Sequence, residues 1–436
     1  MSLTQQLIAL IRSRPISDQD LAAAAMFSLD AIASAYAGSQ TSVGKTLRQW
    51  ASASELDDKR RALLMAALTH ITETDDLHRA SVTHPGCVVV PVAFSLGEKL
   101  GASGEQILRA VLHGFEAMCR VGAAVGPAHY RVWHNTATCG PFGSAMAAAS
   151  LLGLSDEQTS DALGNAGTQS SGFWQFMQNG AMSKHLHAGR AAESGLLAAE
   201  LAAHGFTGPP EILEGDKGFF AAMCDDPVPA KLLESPDAPW QLLLTSIKPW
   251  PSCRHTHPLI DCALEIHELI DGADIARVDI KTYQAAMDVC DRPDPGSEYE
   301  AKFSLYHCVA IALTDGRVGL DSFDEPARQR SANIRGASSV EVVDPYRSAY
   351  PLAWGAEVSV TTSSGETCKV SRKDCKGDPE LALDAAEMRN KAEGLLQYGG
   401  LSNDQATAVC DSLLSLPAHG GDAKIFCNFI EHLDIG

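Results

Sequence analysis

Ionisable side chains are concentrated in four short stretches of the sequence, and the first combines carboxylates with histidines. Glu73-Thr-Asp75-Asp76-Leu-His78 is followed by His84-Pro-Gly, directly before an apolar run. Adjacent carboxylates beside two histidines, at a turn between helices, could hold a proton-transfer group in a set tautomer. The alternative is that the acids form a solvated loop and His84 caps the next helix.

The second stretch places His134 next to Trp133, just before a small-residue helix predicted over 143–152. A histidine at that position could sit where a substrate approaches the backbone closely. The alternative is a histidine that packs against a tryptophan in a loop.

The third stretch begins a predicted apolar helix with three cationic or ionisable side chains. Lys184, His187 and Arg190 recur at three-residue spacing, so we expect them to share one face of the first turns. Together with the amide donors of a helix start, they would form a carboxylate or phosphate site. The alternative, a solvated basic first turn, is opposed by the helix dipole, which disfavours positive charge at this end.

The fourth stretch contains Arg254, His255 and His257, where two predicted domains meet. Proline-stiffened chain with cations at a domain boundary is typical of a ligand cleft. His255 and His257 also have the His-x-His spacing of metal ligands. Local spacing fixes no third ligand, however, and the cysteines contain no Cys-x-x-Cys pair. We therefore expect no metal.

These stretches together supply bases, acids and cations, a combination that suits removal of a proton α to a carboxylate. The enolate-like dianion formed in that step needs cations and hydrogen bonds to stabilise it. With 34 Lys and Arg against 54 Asp and Glu, the chain has a formal charge of −20, so local cations would have to focus an anionic ligand. The same charge argues against nucleic-acid binding. The sequence has no phosphate-binding glycine loop, so we expect no nucleotide cofactor.

Composition indicates a globular protein without an export or membrane signal. The chain has 436 residues, of which 45% are hydrophobic, enough for a sizeable core in two to three domains. Its 12 cysteines show no zinc-ribbon spacing, which is typical of a reduced, cytoplasmic protein. The amino-terminal residues lack a basic-then-apolar signal, and no run approaches the length of a membrane helix, so no membrane is expected.

The elements that must position these residues are mostly helical at the start of the chain. The first part is rich in Ala and Leu. Its helix starts are marked by Ser17, Ser103 and Ser155, each followed three residues later by an acid or amide. We expect one helix over 21–37, stopped by Gly38.

The pattern changes after residue 250. Apolar periodicity predicts a helix over 257–270, a strand over 276–282 and a β-hairpin over 357–372. Helical periodicity then returns from Pro379 to Ile430. We therefore predict a mainly α protein with a large helical domain formed by both chain ends, 1–247 and 379–436, and a smaller inserted α+β lid domain, 248–378.

Four motifs occur in a fixed order along the chain. They are Glu-Thr-Asp-Asp-Leu-His with His84-Pro-Gly, Trp-His-Asn-Thr-Ala-Thr-Cys-Gly-Pro-Phe-Gly from Trp133, Ser-Lys-His-Leu-His-Ala-Gly from Ser183, and Lys-Pro-Trp-Pro-Ser-Cys-Arg-His-Thr-His from Lys248. In this order they resemble the MmgE/PrpD family, which includes 2-methylcitrate dehydratases, cis-aconitate decarboxylases and iminodisuccinate epimerase. The resemblance extends over nearly the whole chain.

The resemblance implies a helical domain with a lid domain, a homodimer, and catalysis without metal or organic cofactor. On matching positions, it implies that His84, His134, Lys184 and His257 are active-site residues, with the acidic stretch 73–76 beside them. The chain departs from the family pattern where Leu77 replaces a hydroxyl residue, Glu73 replaces a shorter acid and His185 replaces a common proline. These departures favour a polycarboxylate other than 2-methylcitrate.

We expect a cofactor-independent lyase that acts on a small di- or tricarboxylate by abstracting an α-proton, with dehydration favoured. The alternatives are an isomerase or epimerase, a cis-aconitate-type decarboxylase and, from another class, an inactive homologue that binds a carboxylate or serves as a scaffold. We also expect Arg254 and His257 to face Lys184 across a cleft. The remaining candidates would bind substrate: Glu73, Asp75, Asp76, His78, His187, Arg190, Arg254 and His255.

Overall fold

The computed structural model describes residues 1–53 and 55–419, which divide into two compact units. Unit 1 contains Met1–Ile71, Asp75–Ile247 and the described residues from Asp384 onward, and unit 2 contains Thr72–Thr74 and Lys248–Leu383. The boundaries predicted from the sequence lie at 247/248 and 378/379. The end of the predicted helical stretch, Ile430, and the predicted domain end, 436, lie outside the described residues.

The regular secondary structure of unit 1 is almost all helical. Its helices are α1 (Leu3–Ser13), α2 (Asp18–Gln40), α3 (Ser42–Ala51), α4 (Asp58–Thr69), α5 (Gly86–Leu100), α6 (Gly104–Ala124), α7 (Asn135–Leu151), α8 (Asp156–Gly167), α9 (Phe176–Asn179), α10 (Ser183–Ala203), α11 (Phe219–Met223), α19 (Ala385–Tyr398) and α20 (Asn403–His419). Two short strands, β1 (Leu77–His78) and β2 (Thr245–Ser246), pair antiparallel. Helices α4, α7 and α8 pack against α10, so helix faces build the core of this unit.

Several helix starts in unit 1 have the side-chain caps expected from the sequence. The hydroxyls of Ser17, Ser103 and Ser155 each accept a hydrogen bond from the backbone N–H three residues later. The side chain at that later position accepts from the serine N–H in return. Each reciprocal pair satisfies backbone donors that a helix start leaves unpaired. These three predictions are confirmed.

Helix α2 is longer than predicted. It continues through Gly38 to Gln40 instead of stopping at the glycine. A Cβ on Gly38 would lie 2.0 Å from the carbonyl oxygen of Leu68, so the glycine permits α2 to pack closely on α4. The prediction was wrong because a glycine that ends a helix and a glycine that allows a close contact look alike in sequence.

Helix α2 is also long and apolar enough to cross a membrane by length and composition, although no such helix was expected. Its most apolar window has a mean hydropathy of 1.4, and 83% of that window is buried inside the structure. Burial of this extent is typical of a core helix. Length and apolar character alone therefore do not make α2 a membrane span.

Unit 2 combines helices with a four-stranded sheet. Its helices are α12 (His257–Ile270), α13 (Gln284–Cys290), α14 (Glu298–Lys302), α15 (Leu305–Asp315), α16 (Glu325–Arg330), α17 (Ala332–Gly336) and α18 (Tyr346–Ala349). Its strands are β3 (Ile275–Thr282), β4 (Ser338–Val342), β5 (Ala356–Thr362) and β6 (Thr367–Arg372), in the order β4-β3-β5-β6. Strand β3 is parallel to β4 and antiparallel to β5, and α12 packs on β5 and β6.

The helix, strand and hairpin predicted for this part of the chain are confirmed. The fold class is also confirmed, because the structure is mainly α with a smaller α+β part. Alternation explains the strand prediction, since Val278 and Ile280 are buried and lie opposite Val360 and Val358 in the sheet.

Candidate active site

Six ionisable residues of unit 1, most of them near helix ends, form a group that we call the inner cluster. Five of them are at least nine-tenths buried and the sixth, His187, is half-buried. His70 directly follows α4, His84 precedes α5, and His134 precedes α7. The inner cluster consists of His70, Asp75, His84, His134, Lys184 and His187.

His70 and Asp75 form the most buried pair of this cluster. His70 Nδ1 lies 2.6 Å from Asp75 Oδ2, and neither side chain is exposed. The carboxylate fixes the orientation of the imidazole, as acids that support catalytic histidines do. His70 Nε2 is buried and has no hydrogen-bond partner among the described residues. Asp75 thus holds one ring nitrogen of His70, and the other has no partner among the described residues.

His84 is oriented by the chain that carries the two aspartates. Its Nδ1–H donates to the backbone carbonyl of Asp76 at 2.6 Å, and the same nitrogen lies 3.4 Å from Asp75 Oδ2. Because a carbonyl oxygen can only accept, the neutral ring carries its proton on Nδ1 and leaves Nε2 as the basic nitrogen. The ring centroids of His84 and His70 are 4.7 Å apart.

The alternative interpretation of this segment as a solvated loop is wrong. Asp75 and Asp76 are 0% and 2% exposed, respectively. Asp76, not His84, caps helix α5, because the Gly86 N–H donates to both of its carboxylate oxygens at 3.0 Å. Asp76 therefore holds the start of the helix, whereas its neighbour Asp75 holds His70.

His134 and His187 form a second imidazole pair. Their Nδ1 atoms are 3.3 Å apart. Burial, followed by nearby His70 and Lys184, holds the pKa of His134 well below its usual value, and burial lowers the pKa of His187 to about 4. Both rings are thus neutral near pH 7, so one Nδ1–H donates to the other Nδ1. His134 also stacks on His70, with ring centroids 5.7 Å apart.

The aromatic neighbour of His134 is not the residue beside it in sequence. Its ring lies 4.8 Å from that of Trp174, whereas Trp133 stacks on Phe173 at 4.6 Å. Tryptophan packing is therefore real, but it is combined with the hydrogen bond to His187. The sequence offered substrate contact and tryptophan packing as alternatives for His134. In the structure, His134 makes a polar contact with His187 and an aromatic contact with Trp174.

Lys184 is a buried cation at the start of α10, with 4% of its surface exposed. Its charge lowers the pKa of the Cys87 thiol, which burial and the two aspartates Asp75 and Asp76 raise well above the usual value. In addition to burial, Lys184 lowers the pKa of His134 and of His187, so it lies within electrostatic reach of these two imidazoles. The solvated-first-turn alternative is wrong for this residue.

The three ionisable residues that the sequence predicted on one face of α10 do not lie at one depth. Lys184 is buried, His187 is half-buried, and Arg190 is exposed and ion-paired with Glu193. Each three-residue step falls about 60° short of a full helical turn, so the third residue has rotated towards solvent. Neighbouring residues of the three therefore share a face of α10, whereas Lys184 and Arg190 do not.

His78 is used inside unit 1. It lies in β1, its Nδ1 is 2.8 Å from the hydroxyl of Ser81, and burial lowers its pKa to about 4. These contacts give His78 a structural role. Its predicted contact with substrate stays a prediction.

Three predicted site residues belong to unit 2. Arg254 is buried and donates to Asp378 and to the Cys375 sulfur. His255 stacks on Trp354 with centroids 4.5 Å apart, and burial lowers its pKa to about 3. His257 is fully buried, and its Nε2–H donates to the backbone carbonyl of residue 252 at 3.2 Å. Their predicted contacts with substrate stay predictions.

Glu73 also belongs to unit 2, apart from the aspartates that follow it in sequence. It has a left-handed φ of 59°, and its carboxylate lies 3.5 Å from the ammonium of Lys248. A second buried lysine, Lys302, donates to the carbonyl of Thr72 at 3.3 Å, and burial lowers its pKa. The sequence prediction had grouped Glu73 with Asp75 on proximity along the chain alone.

A metal fits this site only in part. Donor atoms of His70, Asp75 and His84 lie within 4.8 Å of one another, close enough to surround a divalent ion. Two of these donors are already bonded directly, however, and the Nδ1 of His84 donates to a carbonyl. A second acidic group, Asp374, Asp378 and Glu380, includes the partner of Arg254. The expectation of catalysis without a metal stays a prediction.

The protein is thus mainly helical, and acids, imidazoles and a lysine are buried together in its unit 1. The chain matches the MmgE/PrpD N-terminal domain over residues 5–231 and the MmgE/PrpD C-terminal domain over residues 250–416. It therefore belongs to the MmgE/PrpD family, as its motifs indicated.

Several curated relatives are named cis-aconitate decarboxylase. The chain is 28% identical to the Aspergillus terreus protein over 292 residues, which cover 61% of this chain and 59% of the relative. It is 29% identical to the human protein over 326 residues, 70% of this chain and 66% of the relative. With the mouse protein, 26% identity extends over 355 residues, 76% and 70% of the two chains. The match thus spans about three fifths of the Aspergillus relative.

Proposed function

We propose that this protein is a lyase that decarboxylates a small unsaturated tricarboxylate of the cis-aconitate type. The inner cluster is the observation that carries the proposal. Family membership supports a lyase, and the names of the relatives support decarboxylation over the dehydration favoured from sequence. The proposal includes a small anionic carboxylate as ligand, no metal or organic cofactor, a homodimer and a cytoplasmic location.

Burial of the cluster is the physical argument for function. Ionisable groups removed from water lose solvation energy, so a fold that only needed stability would replace them with apolar side chains. Lys184, Asp75 and three imidazoles are nevertheless kept together in the interior of unit 1. Concentrations of perturbed ionisable groups of this kind are typical of catalytic sites.

The proposed reaction needs one cation and one proton donor. As the carbon–carbon bond to the departing carboxylate breaks, its electron pair shifts the double bond, and negative charge spreads towards a remaining carboxylate. Lys184 stabilises that charge. A histidine donates one proton to the carbon that loses the double bond, so the products are carbon dioxide and an unsaturated dicarboxylate. One proton is consumed per molecule of carbon dioxide.

Dehydration uses the same cation but different proton chemistry. A dehydratase must remove an α-proton and protonate a departing hydroxyl, so the proton balance differs from that of decarboxylation. The number of hydrogen atoms that the product takes from the solvent therefore distinguishes dehydration from decarboxylation. Epimerisation is separated in the same way, because it exchanges a proton without net loss of substrate.

A substrate panel in deuterated water tests the proposal. We would incubate the protein with cis-aconitate, citrate, methylcitrate, tartrate and aspartate-derived acids, and follow them by NMR. The proposal expects loss of cis-aconitate, release of carbon dioxide and one deuterium in the product. His204→Gln, a change at an exposed histidine at the end of α10, should react like the wild type. A new alkene from citrate or methylcitrate would instead identify a dehydratase, and no reaction of cis-aconitate would refute the proposal.

A further inference from the structure

A surface groove on unit 1 leads to one histidine of the inner cluster. The groove encloses about 250 Å³, and its lining includes His187, Arg190, Phe173 and Gly172. His187 is half-buried, and every other histidine of the cluster is at least nine-tenths buried. His187 is therefore the member of the inner cluster whose ring lines this groove.

The ring of His187 is connected inward by one hydrogen bond. Its Nδ1 lies 3.3 Å from Nδ1 of His134, which is 1% exposed. The His134 ring in turn stacks on His70, the partner of Asp75. A continuous series of imidazoles thus runs from the groove into the cluster.

Neighbouring groups fix the geometry of this pair. The carbonyl of Gly172 accepts a hydrogen bond from the backbone N–H of His134 at 3.0 Å. The same glycine has a φ of 135°, and a Cβ there would lie 3.3 Å from Nδ1 of His187. Phe176 contacts the His187 ring edge-on, with centroids 5.4 Å apart. The backbone at Gly172 and the ring of Phe176 therefore fix the position of the His187 ring relative to the His134 ring.

We propose that His187 is a proton-relay residue that carries protons from water in the groove to His134. The inference deepens the proposed function and rests on it, because decarboxylation in a buried site consumes a proton that must be replaced from solvent. A hydrated proton from the groove binds Nε2 of His187, the Nδ1 proton of His187 passes to Nδ1 of His134, and His134 gives its Nε2 proton to the substrate carbon, so one solvent proton is consumed per turnover. The pair resets after the product has left, when water that enters the site returns each ring to its starting tautomer.

The direct test measures proton exchange without substrate. Protein labelled with ¹⁵N-histidine would give the exchange rate of the His134 ring N–H with water by NMR, assigned by its loss in His134→Gln. His187→Gln keeps a polar side chain but cannot pass a proton between two ring nitrogens. We expect exchange at His134 to slow by about tenfold or more in His187→Gln and to be unchanged in His204→Gln. Equal exchange rates in wild type and His187→Gln would overturn the relay.

Turnover provides a second, separate readout. If the wild type consumes cis-aconitate, His187→Gln should lower kcat with little change in KM, and added imidazole should restore much of the rate. A purely structural role would lower activity without rescue, which would also overturn the relay. If the wild type consumes no tested acid, the proposed function fails, while the exchange rate still decides the relay. Should His187→Gln not fold, the shorter His187→Asn serves for both measurements.

Discussion

Replacing Asp75 with asparagine tests the buried His70–Asp75 pair at nearly constant volume. The hydrogen bond is 2.6 Å long and neither partner is exposed. An asparagine cannot supply the negative charge. Its N–H can also face the imidazole, which would rotate the ring or move its proton from Nδ1 to Nε2. We expect turnover to fall by about 10²- to 10⁴-fold, the range seen when a supporting carboxylate or an acid–base group is lost.

The stability change is expected to be smaller than the change in rate. A hydrogen bond to a charged group contributes about 1.5–3 kcal/mol, part of which the amide retains. The matched variant is Asp76→Asn, because Asp76 caps α5 through Gly86. Asparagine caps a helix about as well as aspartate and can still accept from the Gly86 N–H, so this variant should lose little stability and much less rate than Asp75→Asn.

The assay is carbon dioxide release at saturating substrate, combined with urea unfolding of the same samples. The reasoning would be refuted if Asp75→Asn turned over substrate like the wild type. It would also be refuted if Asp75→Asn and Asp76→Asn lost equal rate, because the two carboxylates would then have no separate roles.

Three further predictions concern stability, packing and metals. Because burial lowers the pKa of His78 from 6.5 to about 4, the unfolded chain binds a proton that the folded one does not. Stability is therefore full above about pH 6.5 and falls towards pH 4. Urea midpoints of His78→Gln should decline less steeply over this range, and a decline equal to that of wild type would contradict the assignment. Gly38→Ala should lower the unfolding midpoint markedly, because its Cβ would lie 2.0 Å from a backbone oxygen, and an unchanged midpoint would exclude the close contact. Dialysis against chelator should leave turnover unchanged, whereas loss of turnover with a stoichiometric metal would revive metal binding at His70, Asp75 and His84.

Local signals predicted much of the fold. Reciprocal caps at Ser17, Ser103 and Ser155 involve residues three apart, so a single sequence contains both partners. The alternation of β3 is equally local. The role of Gly38 depends on Leu68, thirty residues away, and no local pattern reports such a contact.

The candidate site was predicted less completely. His84, His134 and Lys184 were identified because each stands in a polar motif before a helix. His70 was missed because it follows an apolar helix as a single histidine, and the only signal was its position five residues before Asp75. Lys302 was also missed, because it stands outside the four polar stretches.

The division of the chain into units explains the remaining errors. Glu73 belongs to unit 2 and Asp75 to unit 1, although they are two residues apart. Adjacent acids in sequence were therefore assigned one role, whereas one contacts Lys248 and the other His70. Lys248, the partner of Glu73, is 175 residues away in the sequence, so local spacing could not reveal the role of Glu73.

The rate of carbon dioxide release from cis-aconitate by Lys184→Met, relative to wild type, tests the central claim most directly. Methionine keeps most of the length and apolar volume of the buried side chain but removes the charge that we place beside the substrate. Loss of one such electrostatic contact lowers turnover by about 10²- to 10³-fold. The account predicts release by the wild type and a loss of this size in Lys184→Met. Equal release by the two proteins, or no release by the wild type, would contradict it.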